Sequence, residues 1–224
     1  MKNQTFVVSL GGSVIVSSHI QVEFIRQFRS LVESHKNSRF ILICGGGKTC
    51  RDYQKAAREI VEVSDEDLDW IGVHSTRLNA QLLMSVLRDI AHPKVLHDPN
   101  EPVDFKEKVL IASGWRPGWS TDYVATCLAK RFEVTKLVNI TRQEYVFDKN
   151  PDEHKDAKPI HEISWTDFRA MFGSKWSPGL NVPFDPVASE LAHNSNISVI
   201  MVGSDIDNLT RVFESGSFKG TVIV

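Results

Sequence analysis

The stretches Phe6-Val7-Val8-Ser9-Leu10-Gly11-Gly12-Ser13 and Phe40-Ile41-Leu42-Ile43-Cys44-Gly45-Gly46-Gly47-Lys48 decide the fold. Each is an apolar run of buried-strand character, and each stops at glycines. Glycine at a strand end lets the backbone approach a ligand closely and leaves N–H donors unshielded. Two such turns so near each other in sequence suit two phosphate groups held face to face, as phosphoryl transfer requires. Lys48 and Arg51 follow the second turn where a helix starts, and N–H groups at a helix start with nearby cations favour anions.

Neither turn matches a standard nucleotide motif. A P-loop needs glycine six residues before the lysine, where this chain has Leu42 inside a strand, and neither turn reads GxGxxG. The chain of 224 residues is 42% hydrophobic and 24% charged, an ordinary globular balance. Its formal charge, 26 − 28 = −2, implies no surface for nucleic acid. No apolar run approaches the roughly 20 residues needed to span a bilayer. The apolar stretch after Met1-Lys2-Asn3-Gln4-Thr5 ends at Gly11, so no secretory leader is expected. Cys44, Cys50 and Cys127 are odd in number and lack a CxxC, which suggests free thiols in a cytoplasm and no zinc.

Strand-like and helix-like segments alternate, the pattern of a parallel α/β sheet. Ser18-His19-Ile20-Gln21 reads as a capping box before Phe24, Ile25, Phe28, Leu31 and Val32 at helical spacing. Helices are expected over 49–63, from a Ser64 cap to about Ile90, over 121–130, after Ser164, over 186–194 and over 207–214. Strands are expected at 40–44, 94–96, 109–112, 136–140, 197–202 and 221–224. The segment 141–160 reads as polar and irregular, and Gly173 to Asp185 as a loop. A seam between two halves is expected near 110–120.

Other clusters carry chemistry. Trp115-Arg116-Pro117-Gly118-Trp119-Ser120-Thr121-Asp122 sits between a strand and a helix, where aromatics can flank a base and the helix start can hold phosphate. Ser120 or Thr121 can also simply cap that helix. Asp69 can accept hydrogen bonds from a ribose, although a solvated acid is the commoner reading; Trp70 and Ile71 read as core and His74 as structural. Asp185, in Asn181-Val182-Pro183-Phe184-Asp185-Pro186, reads as a helix cap rather than a catalyst. Lys219 could bring a cation near a phosphate.

Taken in order, Leu10-Gly11-Gly12-Ser13-Val14, Gly45 to Lys48 with Arg51-Asp52-Tyr53, Ile71 to Ala80, Pro117 to Asp122, Val146 to Pro151, Phe184 to Ala188 and Lys219-Gly220-Thr221 resemble the amino-acid kinase superfamily, and within it the archaeal-like uridylate kinases. The resemblance implies a three-layer α/β/α sandwich with a mostly parallel sheet, in one domain over 1–224. It divides that domain into an acceptor-binding half at about 1–115 and an ATP-binding half at about 116–224. It implies transfer from ATP to UMP with Mg²⁺, in a cytoplasmic homo-oligomer, usually a hexamer. By position, Ser9, Gly11, Gly12, Ser13, Gly47 and Arg51 would contact ATP phosphates, and Thr141, Arg142, Phe147 and Asn150 would line its nucleoside site. Gly46, Asp69, Trp115, Arg116, Pro117, Gly118, Trp119, Ser120 and Thr121 would contact UMP. Asp122, Lys48 and Arg51 would serve the transfer itself, Asp122 by orienting groups around the phosphoryl, and no residue is expected to bind a metal on its own.

Two departures stand out. Many relatives carry lysine where this chain has Ser9, and Lys48, Arg51 or Lys219 are the candidates to replace its charge. The usual Asn-Val-Asp-Gly-Val-Tyr is here Arg142-Gln143-Glu144-Tyr145-Val146-Phe147. They leave open a kinase of the same fold with another acceptor, or a catalytically weak nucleotide-binding protein.

Overall fold

In the computed structural model residues 4–173 and 182–224 are described. The chain runs β1 (Gln4–Leu10), α1 (Gly12–Ile15), α2 (Val22–Ser34), β2 (Ser38–Cys44), α3 (Gly47–Ile60), α4 (Asp65–Val86), β3 (Val109–Ala112), α5 (Thr121–Arg131), β4 (Lys136–Ile140), β5 (Val146–Phe147), β6 (Pro159–Ile160), β7 (Glu162–Ile163), α6 (Trp165–Phe172), α7 (Pro186–Asn194), β8 (Ser198–Val202), α8 (Ile206–Phe213) and β9 (Thr221–Ile223). Seven strands form one sheet in the order β3-β2-β1-β4-β8-β9-β7, parallel except for β8 against β9, and β5 and β6 pair antiparallel in a separate two-stranded sheet. The aliphatic runs of β1, β2 and β3 are buried on both faces, as a parallel sheet between helices demands. Val8, Leu42 and Ile111 pack with α2, α4 and α8 on one face, whereas Val7, Ile41 and Leu110 pack with α5, α6 and α7 on the other. The result is the expected three-layer sandwich. Because β1 pairs with both β2 and β4, a single sheet crosses the position of the expected seam.

Most expected helices form, with shifted ends. Ser64, Ser120, Ser164 and Asp185 cap α4, α5, α6 and α7 by accepting from the backbone N–H three residues on. The capping box at Ser18 does not form. A bridge between Val16 and Ile20 turns the chain, Gln21 gives its amide to Ser17 Oγ and the His19 carbonyl, and α2 starts only at Val22. These local side-chain bonds compete with the helix start. Helix α3 starts at Gly47 rather than 49 and stops at Ile60. Helix α4 ends at Val86, and the residues to Ile90 form turns. The expected strand 94–96 contributes only a single bridge, Leu96 to Ala112. Trp70 is not core: it lies on the outer face of α4, 37% exposed, stacked on His74. Of the expected loop 173–185, residues 174–181, Asn181 among them, lie outside the described residues, as do Met1, Lys2 and Asn3.

Candidate active site

The parallel strands end side by side, so their following loops form one row. Residues 113–120 follow β3, Gly45–Gly47 follow β2, Gly11–Gly12 follow β1 and Thr141 follows β4. Such a row, beyond the carboxyl ends of the strands, is where an open α/β sheet places ligands. At its centre the two glycine turns touch through their backbones. A Cβ on Gly12 would fall 1.9 Å from the Gly47 nitrogen, and one on Gly45 would fall 2.4 Å from the Gly12 nitrogen. Gly47 has φ +67°, and a Cβ there would meet the Gly12 carbonyl oxygen at 2.4 Å. The turns are tied down on both sides. Gly11 N–H donates to the Ile140 carbonyl (2.8 Å), and buried Asn79 donates its amide to the Gly45 carbonyl (2.7 Å) and the Gly46 carbonyl (3.2 Å).

Behind this row stands Asp122, in the first turn of α5. Ser9 Oγ donates to its Oδ1 (3.3 Å), Asn139 Nδ2 donates to the same oxygen (3.4 Å), and the Asp185 N–H donates to Oδ2 (3.3 Å). The residue keeps some accessible surface, but its carboxyl is hemmed in by β1, β4 and the segment before α7. Loss of water around it, and then the charge of Asp185, push its pKa up to about 7. Burial also raises Asp185, against the N–H of Ala188 that it accepts. Asp185 is therefore the expected helix cap, and it also faces Asp122.

On the β3 side, the loop 113–120 is fastened to α4. Gly114 N–H donates to Thr76 Oγ1 (2.8 Å), Arg77 Nη2 to the Trp115 carbonyl (3.2 Å), and Gly118 N–H to Asp69 Oδ2 (2.8 Å). Partial burial raises Asp69 despite that last bond. The Arg116 guanidinium lies 4.0 Å over the Trp115 ring, and Trp119 packs against Tyr123 in a tilted pair with centroids 4.1 Å apart. Ser120 caps α5 through Tyr123 N–H, and Thr121 opens that helix. Gly46 and Asp69 both border Cys50: a Cβ on Gly46 would meet the Cys50 Cβ at 2.8 Å, and Asp69 is one of the charges acting on that thiol.

On the β4 side, a cleft of ≈ 350 Å³ is lined by Ser13, Thr141, Arg142, Phe147 and Asn150 together with Tyr145, Lys149 and Met201. The structure thus brings together the four residues expected around an ATP nucleoside, next to the first glycine turn. Thr141 Oγ1 donates to the Gln143 carbonyl (2.9 Å), Asn150 binds Glu153, and the Arg142 guanidinium pairs with Asp152 at 2.5 Å.

The candidate cations are elsewhere. Lys48 Nζ pairs with Asp52 (2.5 Å) on the outside of α3, and Arg51 and Lys219 are exposed. Among the described residues, no lysine or arginine forms an ion pair with Asp122. Sequence reasoning missed Asn79, Asn139 and the second contact of Asp185. A lone polar residue inside the aliphatic run Lys136-Leu137-Val138-Asn139-Ile140 was the available signal for Asn139.

The chain matches the model of the amino acid kinase family over residues 4–203. It is 34% identical to the uridylate kinase of Thermoplasma volcanium, over 95% of this chain and 94% of that protein. The uridylate kinase of Methanobrevibacter smithii is 31% identical, over 97% and 98% of the two chains. Among solved structures, uridylate kinase from Archaeoglobus fulgidus aligns with a TM-score of 0.82 at 30% identity, covering 98% of this chain and all of that one. UMP kinase from Bacillus anthracis aligns with a TM-score of 0.75 at 16% identity, over 100% and 96% of the two chains, a likeness of fold.

Proposed function

Since the chain belongs to the amino acid kinase family, we propose that it transfers the γ-phosphoryl group of ATP to UMP, giving ADP and UDP. The observation that carries this reading is the contact between the two glycine turns, with a cleft on the β4 side and the fastened loop 113–120 on the β3 side. ATP would occupy the cleft, its phosphates reaching Gly11, Gly12, Ser13 and Gly47. UMP would lie across Gly46, Asp69 and residues 115–121. An oxygen of the UMP phosphate then attacks the γ-phosphorus while the bond to the β,γ-bridging oxygen breaks, and ADP leaves with that electron pair. The nucleophile is already anionic, so the protein supplies position and charge stabilisation and needs no general base.

Mg²⁺ fits as the companion of ATP. The site offers hard oxygen donors beside the glycine turns, Asp122 first, and Asp122 would hold the water shell of a cation carried on the phosphates. When bound, that ion neutralises charge on the β and γ oxygens. Lys48 and Arg51 would reach the phosphates only by leaving their outward positions.

Among the described residues no helix is long and apolar enough to cross a membrane, and all three cysteines are unpaired, which fits a cytoplasmic enzyme. Helices α3 and α4 expose Tyr53, Ile60 and Leu78, and Val61 just after α3 is exposed beside them. This apolar surface supports a homo-oligomer, a hexamer by resemblance. Sedimentation at micromolar concentration should then give a species several times the protomer mass, and a monomer there would refute it.

The activity is tested with Mg-ATP and a panel of acceptors: UMP, CMP, dUMP, AMP, acetylglutamate and aspartate, with products identified by mass. UDP, formed from UMP in preference to the others, is the expected result. A phosphorylated amino acid would reassign the acceptor. Bound UMP without any product would make the protein a nucleotide binder.

A further inference from the structure

One row across the sheet breaks the rule of the rest. Ala112, Ile43, Ser9, Asn139 and Met201 are register partners on five neighbouring strands, from β3 to β8. Register partners on adjacent parallel strands point to the same side, here the side of α5 and α7. Three members of the row are apolar, and the two in the middle are polar. Ser9 is 2% exposed and Asn139 is 3% exposed. Polar side chains at the centre of a buried sheet are destabilising unless they are bonded. The hydrogen bond that each side chain makes goes to one atom, Oδ1 of Asp122.

We propose that Ser9 and Asn139 form a neutral two-donor cradle that positions the carboxylate of Asp122 for phosphoryl transfer. This rests on the kinase reading given above. The donors come from two strands whose spacing the sheet fixes, and they converge on one oxygen. The Asp185 N–H holds the other oxygen, so the carboxyl plane is set from three elements. The charged group that bears on Asp122 is Asp185, from the segment before α7; the groups facing it from β1 and β4 are these two neutral donors, and no cation from α3 pairs with it. Dipoles aimed in advance at a charge need no rearrangement during reaction. At 3.3 and 3.4 Å both bonds are long for bonds to an ionised acid, and they are expected to shorten when the phosphates are in place.

The test is Asn139→Leu, with Asn139→Ser as a smaller change that puts a shorter hydroxyl donor in place of the amide. In nucleotide-free protein, the Asp122 carboxyl is followed by NMR with carbon-labelled aspartate, its signal assigned by comparison with Asp122→Asn. Removing a donor that favours the charged form should move the titration midpoint to higher pH, more for leucine than for serine. The acidic limb of kcat/KM for UMP phosphorylation should move the same way. The kcat should fall about tenfold or more, the size expected for losing a bond to a charged group, with the KM for UMP within about threefold of the parent. A midpoint unmoved in both variants overturns the proposal. If the leucine variant fails to fold, the serine variant decides. The midpoint is read without turnover, so a parent enzyme that makes no UDP would sink the kinase reading while leaving the cradle to be judged separately.

Discussion

Asp122→Asn should abolish most turnover and, in the same protein, raise thermal stability above neutral pH. Asp122 carries the only carboxylate in direct hydrogen-bond contact with Ser9 and Asn139 among the described residues, at the C-terminal ends of the two central strands. An amide keeps the shape but removes the charge proposed to orient groups around the transferring phosphoryl. Losing one preorganised electrostatic partner of this kind costs about a hundredfold or more in kcat. The stability effect has the opposite sign. Burial and then Asp185 raise the pKa of this acid to about 7, against about 3.9 for an unfolded aspartate. Between those values the folded chain binds more protons than the unfolded one, so stability falls as pH rises from about 4 to about 7. Above that range the whole penalty is present, with a ceiling of about 4 kcal/mol. The asparagine variant does not carry it. Its melting temperature without nucleotide should exceed the parent's at pH 8, and the gap should close as pH is lowered toward 5. Full turnover in the variant would remove Asp122 from the mechanism; a lower melting temperature at pH 8 would show that the carboxylate is well satisfied where it stands.

This coupling of function and instability was only partly legible in the sequence. The strands could be read because β1, β2 and β3 are aliphatic runs buried on both faces, and local composition fixes such elements. The caps at Ser64, Ser120 and Ser164 could be read for the same reason, since each bonds three residues away. The cradle could not. Ser9 and Asp122 are separated by 113 positions, and only the register of β1 against β4 puts Asn139 beside Ser9. The resemblance located the missing lysine at Ser9 and offered Lys48, Arg51 or Lys219 in its place. The structure instead turns Lys48 outward onto Asp52, because an i,i+4 partner on the same helix is nearer than the site. The misread start at Ser18 has a similar cause: Ser17 and Gln21 bond to each other, which no capping pattern anticipates. Trp70 was misread because hydrophobicity alone does not say which face of a helix is inward. What local pattern fixed, then, was the row of strand ends. What it left out was how side chains meet across that row.

Gly12→Ala should be the most damaging glycine-to-alanine change among the described residues. The new Cβ would lie 1.9 Å from the Gly47 nitrogen, 2.5 Å from its Cα and 2.8 Å from the Gly46 carbonyl carbon. All three are backbone atoms, so no side chain can rotate out of the way. The turns must move apart, against the bonds that hold Gly11 to Ile140 and Gly45 to Asn79. Forcing a methyl into such a contact costs roughly 1–3 kcal/mol and sometimes more. The kinetic cost should be larger than the thermodynamic one. If the turns carry the phosphates of two nucleotides, parting them lengthens the gap across which the phosphoryl group passes, and a displacement of about 1 Å can cost about a hundredfold in rate. The expected result is a folded protein with a lowered melting temperature and a kcat down by about two orders of magnitude. Gly72→Ala is the matched control. Its Cβ would meet Cys50 Sγ at 3.6 Å and Gln54 Nε2 at 3.7 Å, ordinary contacts with α3, and Gly72 itself lies inside α4, where alanine is the better helix former by about 0.5–1 kcal/mol. The control should therefore melt at the parent's temperature or higher and keep its turnover. Equal turnover in both variants would mean that the glycine turns do not set the distance between donor and acceptor, and the site would have to be sought elsewhere along the row. A loss confined to Gly12→Ala ties catalysis to the contact itself, because the two variants add the same methyl and differ only in what it strikes.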